Sequence, residues 1–170
     1  MQDIEAYAAG GVIRGAVSEP ITFGAGPDAT RPIALDEATW HPLSGGPAVT
    51  RGRVRLTLDE VLILWADEHE LPIHARWNSV ELDVGPYHLV AELPTQPGFD
   101  PGRALSRPGG PFVLVRDVRI GLLGDFAAGE IEREHALINR YEVERVVADI
   151  DLGFYFPGAE FVAPAGVRRA

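Results

Sequence analysis

An aspartate and two histidines near the middle of the chain have the donor types of a divalent-metal site. Asp67, His69 and His74 fall within eight residues, and carboxylate and imidazole are common ligands of zinc and related metals. A fourth ligand is not evident, and Pro72 is incompatible with the helical spacing of metalloprotease histidines. We favour the alternative, a solvated connector, and predict no cofactor; the three residues are kept as metal candidates.

A second group of ionisable residues could bind a cation or carry acid–base chemistry. Glu130, Glu132 and Glu134 alternate, so a strand would place them on one face. Exposure to solvent is the simpler interpretation of this face, and a cation site is the alternative. His88 and His135 are single histidines in strand-like sequence, typical of surface or core positions.

The sequence contains no catalytic motif that can be recognised. There is no cysteine, and no serine lies in the Gly-x-Ser-x-Gly pattern of esterases. We therefore predict no catalytic residues. An acid–base pair drawn from distant segments remains open, because such a pair leaves no local motif.

In two distant stretches, the alternation of apolar residues changes face at a charged dipeptide. Because strand side chains alternate with a period of two, a change of face predicts a bulge or sharp bend. The dipeptides are Asp36-Glu37, between Ile33/Leu35 and Ala38/Trp40, and Arg116-Asp117, between Val113/Val115 and Val118/Ile120. We assign these dipeptides to the bulge rather than to catalysis.

The order of elements around these two strands repeats along the chain. Val17 matches Leu93 at an offset of 76, Ala38 matches Val118 at 80, and Val61 matches Val143 at 82. The match is weakest at its end, where Ile63 corresponds to Arg145. The repeat predicts an all-β protein of two tandem similar β-units, barrel-like with bent strands, packed as one compact unit with few short helices.

The expected boundaries follow from the breaks in composition. We assign residues 1–66 to the first unit, 67–75 to a connector, 76–150 to the second unit, and 151–170 to a C-terminal strand and tail. Elements predicted individually are a hairpin over Arg53–Trp65 with a buried central strand, a short helix over Asp100–Leu105, a closing strand over Ile150–Phe156, and core positions for Trp40, Trp65 and Trp77. Asp3–Ala9 is left as either a short helix or a strand.

The second half resembles an Sm-like small β-barrel unit. The resemblance consists of strands at Val80–Val84, Leu89–Leu93 and Phe112–Ile120, followed by two short strands around a tight turn at Leu137–Val143. It implies bent strands, a small barrel and association through sheet edges. The family's aspartate–asparagine RNA motif is absent, so RNA binding is not carried over.

Composition limits the classes of function. A formal net charge of -10 argues against binding to nucleic acid or to anionic membrane. The first residues lack the basic and apolar regions of a signal peptide, and no run approaches the roughly 18 apolar residues of a membrane span. These observations predict a cytoplasmic protein.

Two functional hypotheses follow. The first is a non-enzymatic structural or protein-interaction module that forms a homo-oligomer, or binds a protein partner, through sheet edges or the aromatic residues Phe154–Phe156. The second is a small-ligand or metal-binding β-barrel protein in which polar residues converge at a barrel mouth.

Overall fold

A computed structural model describes residues 1–19, 21, 31–67, 71–95, 110–125, 129–152 and 155–165. The predicted all-β fold is confirmed, and no helix occurs among these residues. The predicted helix at Asp100–Leu105 lies outside them. The strands are β1 (Gln2–Ala8), β2 (Gly11–Val17), β3 (Ile33–Pro42), β4 (Val49–Thr50), β5 (Val54–Leu56), β6 (Ile63–Ala66), β7 (Arg76–Val84), β8 (Tyr87–Thr95), β9 (Phe112–Leu122), β10 (Ile131–Asn139), β11 (Val143–Val147) and β12 (Glu160–Val162).

All strands belong to one continuous sheet, and the prediction of a closed barrel is wrong. The strand order is β12-β11-β7-β8-β9-β10-β6-β1-β2-β3-β4, and β5 also pairs with β3. Within the described ranges, the strands at the two ends of this path do not pair with each other. The sheet bends over two cores and leaves both ends open instead of closing on itself.

The bends lie at the two charged dipeptides, as the change of face predicts. Glu37 and Asp117 have φ angles of 53° and 49°, which are unusual for residues other than glycine. The pairing register shifts beside each residue, between Arg14 and Ala16 in β2 and between Val90 and Glu92 in β8. Both strands thereby keep apolar side chains toward the interior before and after the bulge.

Strand pairing in the first half (residues 1–66) and in the second half (residues 76–150) follows the same register. Adding 76 to the residue numbers of β1 and β2, 80 to those of β3, and 82 to those of β5 and β6 converts the pairs of the first half into pairs of the second. One pair, Ile4 with Ala66, is the exception, because its counterpart lies beyond the end of β11. The correspondence between Ile63 and Arg145 is part of this common register.

The two halves meet where β6 lies between β1 and β10. Leu64 is opposite Leu137, and Ile63 is opposite Ile138. The backbone N–H of Asn139 donates to the Leu62 carbonyl at 2.9 Å, and its side-chain amide donates to the carbonyls of Leu58 and Val61. The prediction of a buried central strand at this position is therefore confirmed.

Two clusters of buried apolar side chains flank this junction. One is formed mainly by the first half and includes Leu137 from β10; the other is formed mainly by the second half and includes Tyr7 and Ile63. The Tyr7 and Tyr87 rings meet edge to face with centroids 5.5 Å apart. The Tyr87 hydroxyl donates to the Ala8 carbonyl at 2.8 Å and lies 3.3 Å from that of Gly11. Each half thus completes the interior of the other.

The structure corrects the predicted hairpin at Arg53–Trp65. β5 pairs with β3, whereas β6 pairs with β1 and β10. The turn between them is closed locally, because Glu60 accepts hydrogen bonds from the backbone N–H and hydroxyl of Thr57. The strongly apolar β6 lies in the centre of the sheet, between β1 and β10, whereas β5 lies at the edge beside β3.

The predicted closing strand at Ile150–Phe156 is also wrong. The Tyr155 N–H donates to the Leu152 carbonyl at 2.8 Å, so the chain turns here, and the terminal strand is β12 instead. Leu152 and Phe156 are both fully buried in the second core. Phe156 therefore does not form a partner-facing patch, and Phe154 lies outside the described residues.

The three tryptophans are half-buried and do not occupy the centre of either core. Trp65 and Trp77 lie beneath the guanidinium groups of Arg133 and Arg116, at 5.2 and 4.1 Å from the ring centroids. Trp65 and Trp77 are therefore not core anchors, because their rings support cation–π contacts at the edge of the interior. Trp40 packs against the first core from its margin.

Valine in place of Glu37 or Asp117 should lower the free energy of unfolding by about 1–2 kcal/mol, because a β-branched residue is strained at a positive φ. Glycine at the same positions should not destabilise the fold, since glycine has no β-carbon. Urea denaturation measures both effects. Glu81→Val, at an exposed position of β7 that is paired on both sides, is the control and should have little effect. Equal losses for valine and glycine would contradict the strain.

Tyr87→Phe should lower the free energy of unfolding by about 1–2 kcal/mol at neutral pH, because the partly buried Ala8 carbonyl loses the hydroxyl donor. Burial raises the pKa of Tyr87 to about 12, above the usual value of about 10 in unfolded chains. The contribution of the un-ionised Tyr87 hydroxyl to the free energy of unfolding is therefore complete below pH 10 and is lost as the pH rises through 12. Urea denaturation from pH 7 to 12 should show a weaker alkaline loss for Tyr87→Phe, although burial and Glu5 also raise the pKa of Tyr7. An unchanged alkaline loss would contradict this assignment.

Candidate functional site

Of the three residues proposed as metal ligands, the structure describes Asp67 and His74 but not His69. Asp67 is exposed just after β6, and His74 is exposed in the turn before β7. His69 lies outside the described residues. In the ranges that the structure covers, no group of three or more histidine, aspartate or glutamate side chains could hold a metal ion. The metal site at Asp67, His69 and His74 stays a prediction.

The alternating glutamates are exposed, which confirms the simpler interpretation of this face. Glu132 and Glu134 lie on the solvent side of β10, and Glu130 precedes the strand. The Glu130 carboxylate is 3.7 Å from the Arg119 guanidinium. His135, on the same strand, is buried, and its Nε2 lies 2.8 Å from the Ala66 carbonyl. His135 therefore has a structural role in the junction between β10 and β6.

A hydrogen-bonded polar group lies on three neighbouring strands of the second half. Asp83 is in the middle, on β7, opposite His88 on β8 and Arg145 on β11. One Asp83 oxygen is 2.6 Å from His88 Nδ1, and the other accepts from Arg145 Nη1 at 3.3 Å. The Asp83 side chain is only 14% exposed, so its carboxylate serves mainly to orient the other two.

These three residues form one wall of a cavity of about 320 Å³. The rest of its lining comes from the end of β9, the turn after it and the residues before β10, and includes Leu122, Leu123, Asp125 and Glu130. The cavity is partly open, and both apolar and charged groups face it. Such a combination is typical of a small-molecule site.

The polar group is where the two halves differ most in chemistry. In the common register, Asp83, His88 and Arg145 correspond to Tyr7, Val12 and Ile63. The three residues of the first half are apolar or aromatic and pack against the core of the second half. The corresponding face of the second half has no such neighbour among the described residues, and it has become polar.

No single stretch of the sequence marks this polar group, and the weak match in the repeat is the one sequence feature that bears on it. The poorest match of the repeat was the pairing of Ile63 with Arg145, which is one member of the polar group. His88 was considered singly, because its carboxylate and guanidinium neighbours come from strands that meet only through the register. Asp83 lies in the alternating strand Val80–Val84, whose pattern by itself predicts only a strand.

A second ionic cluster has its partners within the fold. Glu5 is 8% exposed and accepts from the Tyr7 hydroxyl at 2.9 Å. It also pairs with Arg133 at 2.7 Å and with Arg14 at 3.0 Å. Because these residues belong to β1, β2 and β10, the cluster ties the two halves together, and its function is structural.

Exposed arginines lie at one end of the sheet and exposed glutamates at the other, and one of the arginines, Arg53, is paired with Asp36 at 3.3 Å. β5 and the segment before it expose Arg51, Arg53 and Arg55. At the other end, the exposed side chains around β11 and β12 include Glu142, Glu144 and Glu160. Complementary charge at the two open edges is a second candidate feature, and it is suited to contacts between proteins.

Replacing Arg133 with alanine should lower the free energy of unfolding by about 2–3 kcal/mol, because it leaves the buried Glu5 carboxylate short of a partner. Arg14 is half-exposed, so Arg14→Ala is the matched control and should cost about 1 kcal/mol or less. Urea denaturation at neutral pH compares the two variants. Similar losses in both would contradict the structural role of the Arg133–Glu5 contact.

Within the part of the chain that the structure covers, no helix is long and apolar enough to cross a membrane. Comparisons with protein-family models, with curated proteins and with solved structures found no match to this chain.

Proposed function

We propose that this protein is a non-enzymatic interaction module whose copies associate end to end by extending the sheet. In this proposal the two halves are copies of one β-unit, and the edge of β5 in one copy meets the β12 end of the next. The cytoplasmic location is part of the proposal and rests on the sequence alone. The observation that carries the proposal is the pairing of β10 with β6, which joins one half to the other.

The internal junction shows how the edge that β5 leaves open is paired in the second half. β6, the partner of β10, corresponds to β11, whose outer edge is paired with β12, so β12 is the strand that a second copy would meet. β5 occupies in the first half the register position that β10 occupies in the second. β10 pairs with a strand of the other half, whereas β5 pairs only with β3 among the described strands. An edge strand with an open side is a ready surface for strand addition.

The direction of the backbone N–H groups supports an open donor on β5. Asn139 donates toward β6, and Arg140 donates to the Pro111 carbonyl beside β9. Because alternate residues of a strand point their N–H groups to opposite sides, the N–H of Leu137 also points toward β6. Arg55 corresponds to Leu137, so its N–H points away from β3 and toward the open edge.

Charge determines how strong the association is. The exposed arginines at β5 and the exposed glutamates around β11 and β12 attract each other across two copies. Arg55 stands where the internal junction has Leu137, so the contact between copies buries less apolar surface than the junction within one chain. We therefore expect a reversible association that weakens as salt is added.

The chain should self-associate in a concentration-dependent manner at low ionic strength, and Arg55→Glu should abolish this association by reversing the charge at the open edge. Sedimentation velocity and light scattering after size exclusion measure the mass. Arg76→Glu is the matched control, because Arg76 is also exposed but lies on β7, away from both ends of the sheet. This control should associate like the unchanged chain.

Either of two outcomes would refute the proposal. One is a strict monomer at low salt throughout the concentration range. The other is an association that Arg55→Glu leaves unchanged, or that Arg76→Glu weakens equally, since either result would mean that the edge of β5 is not the contact.

A further inference from the structure

We infer that the cavity beside Asp83, His88 and Arg145 binds a small zwitterion, an aliphatic α-amino acid. This binding site is separate from the association of copies through β5 and does not depend on it. The inference rests on the position of the cavity, on the groups left unused around it, and on the contrast with the corresponding face of the first half.

The wall formed by β7, β8 and β11 presents hydrogen-bond donors. Asp83 uses both carboxylate oxygens on His88 and Arg145. His88 engages Asp83 through Nδ1, so its Nε2 is not used in that contact, and Arg145 engages Asp83 through Nη1 alone. The remaining guanidinium N–H groups form the fork that recognises a carboxylate. This wall therefore fits the carboxylate end of a ligand.

The lining of the same cavity also presents an acceptor. Glu130 is about half-exposed, and its one described ionic contact is with Arg119 at 3.7 Å, too long for a strong hydrogen bond. Its carboxylate is thus available to an ammonium group. Donors and an acceptor that line one cavity select a ligand that carries both charges.

The remaining lining determines the body of the ligand. Leu122 and Leu123 lie in the cavity lining, and Leu123 is 46% exposed, so an apolar part of a ligand would find apolar surface to cover there. A volume of about 320 Å³ falls at the lower end of the range of about 300–1,000 Å³ for small-molecule sites. A short aliphatic side chain would cover these leucines.

Simple exposure to solvent does not account for this arrangement. A face that lost its protein neighbour needs polar residues only to remain wet. The structure instead places a carboxylate that is 14% exposed beneath a histidine and an arginine and holds both by hydrogen bonds. Orienting side chains in this way is characteristic of a site that must present donors in a fixed direction.

The test uses L-leucine and two analogues that each lack one charged group, 4-methylpentanoate and 3-methylbutylamine. Isothermal titration calorimetry and thermal shift with the full chain should detect leucine. Each analogue should bind at least about tenfold more weakly than leucine, because it loses one charge-assisted contact. If either analogue binds as tightly as leucine, or if leucine and the other aliphatic amino acids do not bind, the inference is overturned.

Two variants assign the ends of the ligand. Glu130→Gln should weaken leucine binding to the level of 4-methylpentanoate and leave 4-methylpentanoate itself unaffected. Arg145→Gln should have the reciprocal effect and leave 3-methylbutylamine unaffected. Glu132→Gln is the matched control, since Glu132 is an exposed glutamate on β10 outside this cavity.

Folding of each variant is checked by its melting temperature without ligand. Glu130 is exposed, so its variant keeps the test valid even if Arg145→Gln is destabilised. If Glu132→Gln weakens leucine binding as much as Glu130→Gln does, the effect comes from overall charge and the proposed site is wrong.

Discussion

The pairing of β6 with β10 is the contact on which the rest of the structure depends. Ile63 and Leu64 point to opposite sides of the same short strand, so one enters the core of the second half and the other enters the core of the first. Each partner lies in the same core as the residue it pairs with: Ile138 in the second core with Ile63, and Leu137 in the first core with Leu64. Burying a side chain of this kind contributes about 1.5–3 kcal/mol. Without this pairing, each half would be an open sheet with an exposed apolar face.

The junction also explains why two halves with the same register differ at their surfaces. The face that carries Tyr7 and Ile63 is covered by the second half, so it must be apolar. The corresponding face with Asp83 and Arg145 has no such cover among the described residues, so it is free to carry charge and to line a cavity. The cavity beside Asp83 and the open edge of β5 thus both lie where no second junction of this kind covers the sheet among the described residues.

The bulges at Glu37 and Asp117 make this arrangement possible. Each adds one residue to a long strand, so the strand turns its apolar side chains back toward the core after the bend. A flat sheet of this many strands could cover one layer only. The bent sheet covers two cores one after the other. The acidic side chains of Glu37 and Asp117 at the bends are exposed to solvent.

Local alternation of residue types determined the strands, the two bulges and the offsets between the halves, because side-chain direction in a strand follows from its nearest neighbours in sequence. Trp65 and its preceding residues were correctly assigned to a central strand for the same reason. Only the tertiary structure decided which strands pair over long distances, since apolar strands offer the same pattern to many partners: it separated β5 from β6 and placed β6 against β10. The group of Asp83, His88 and Arg145 arises from that pairing and register, so no single stretch of sequence could reveal it.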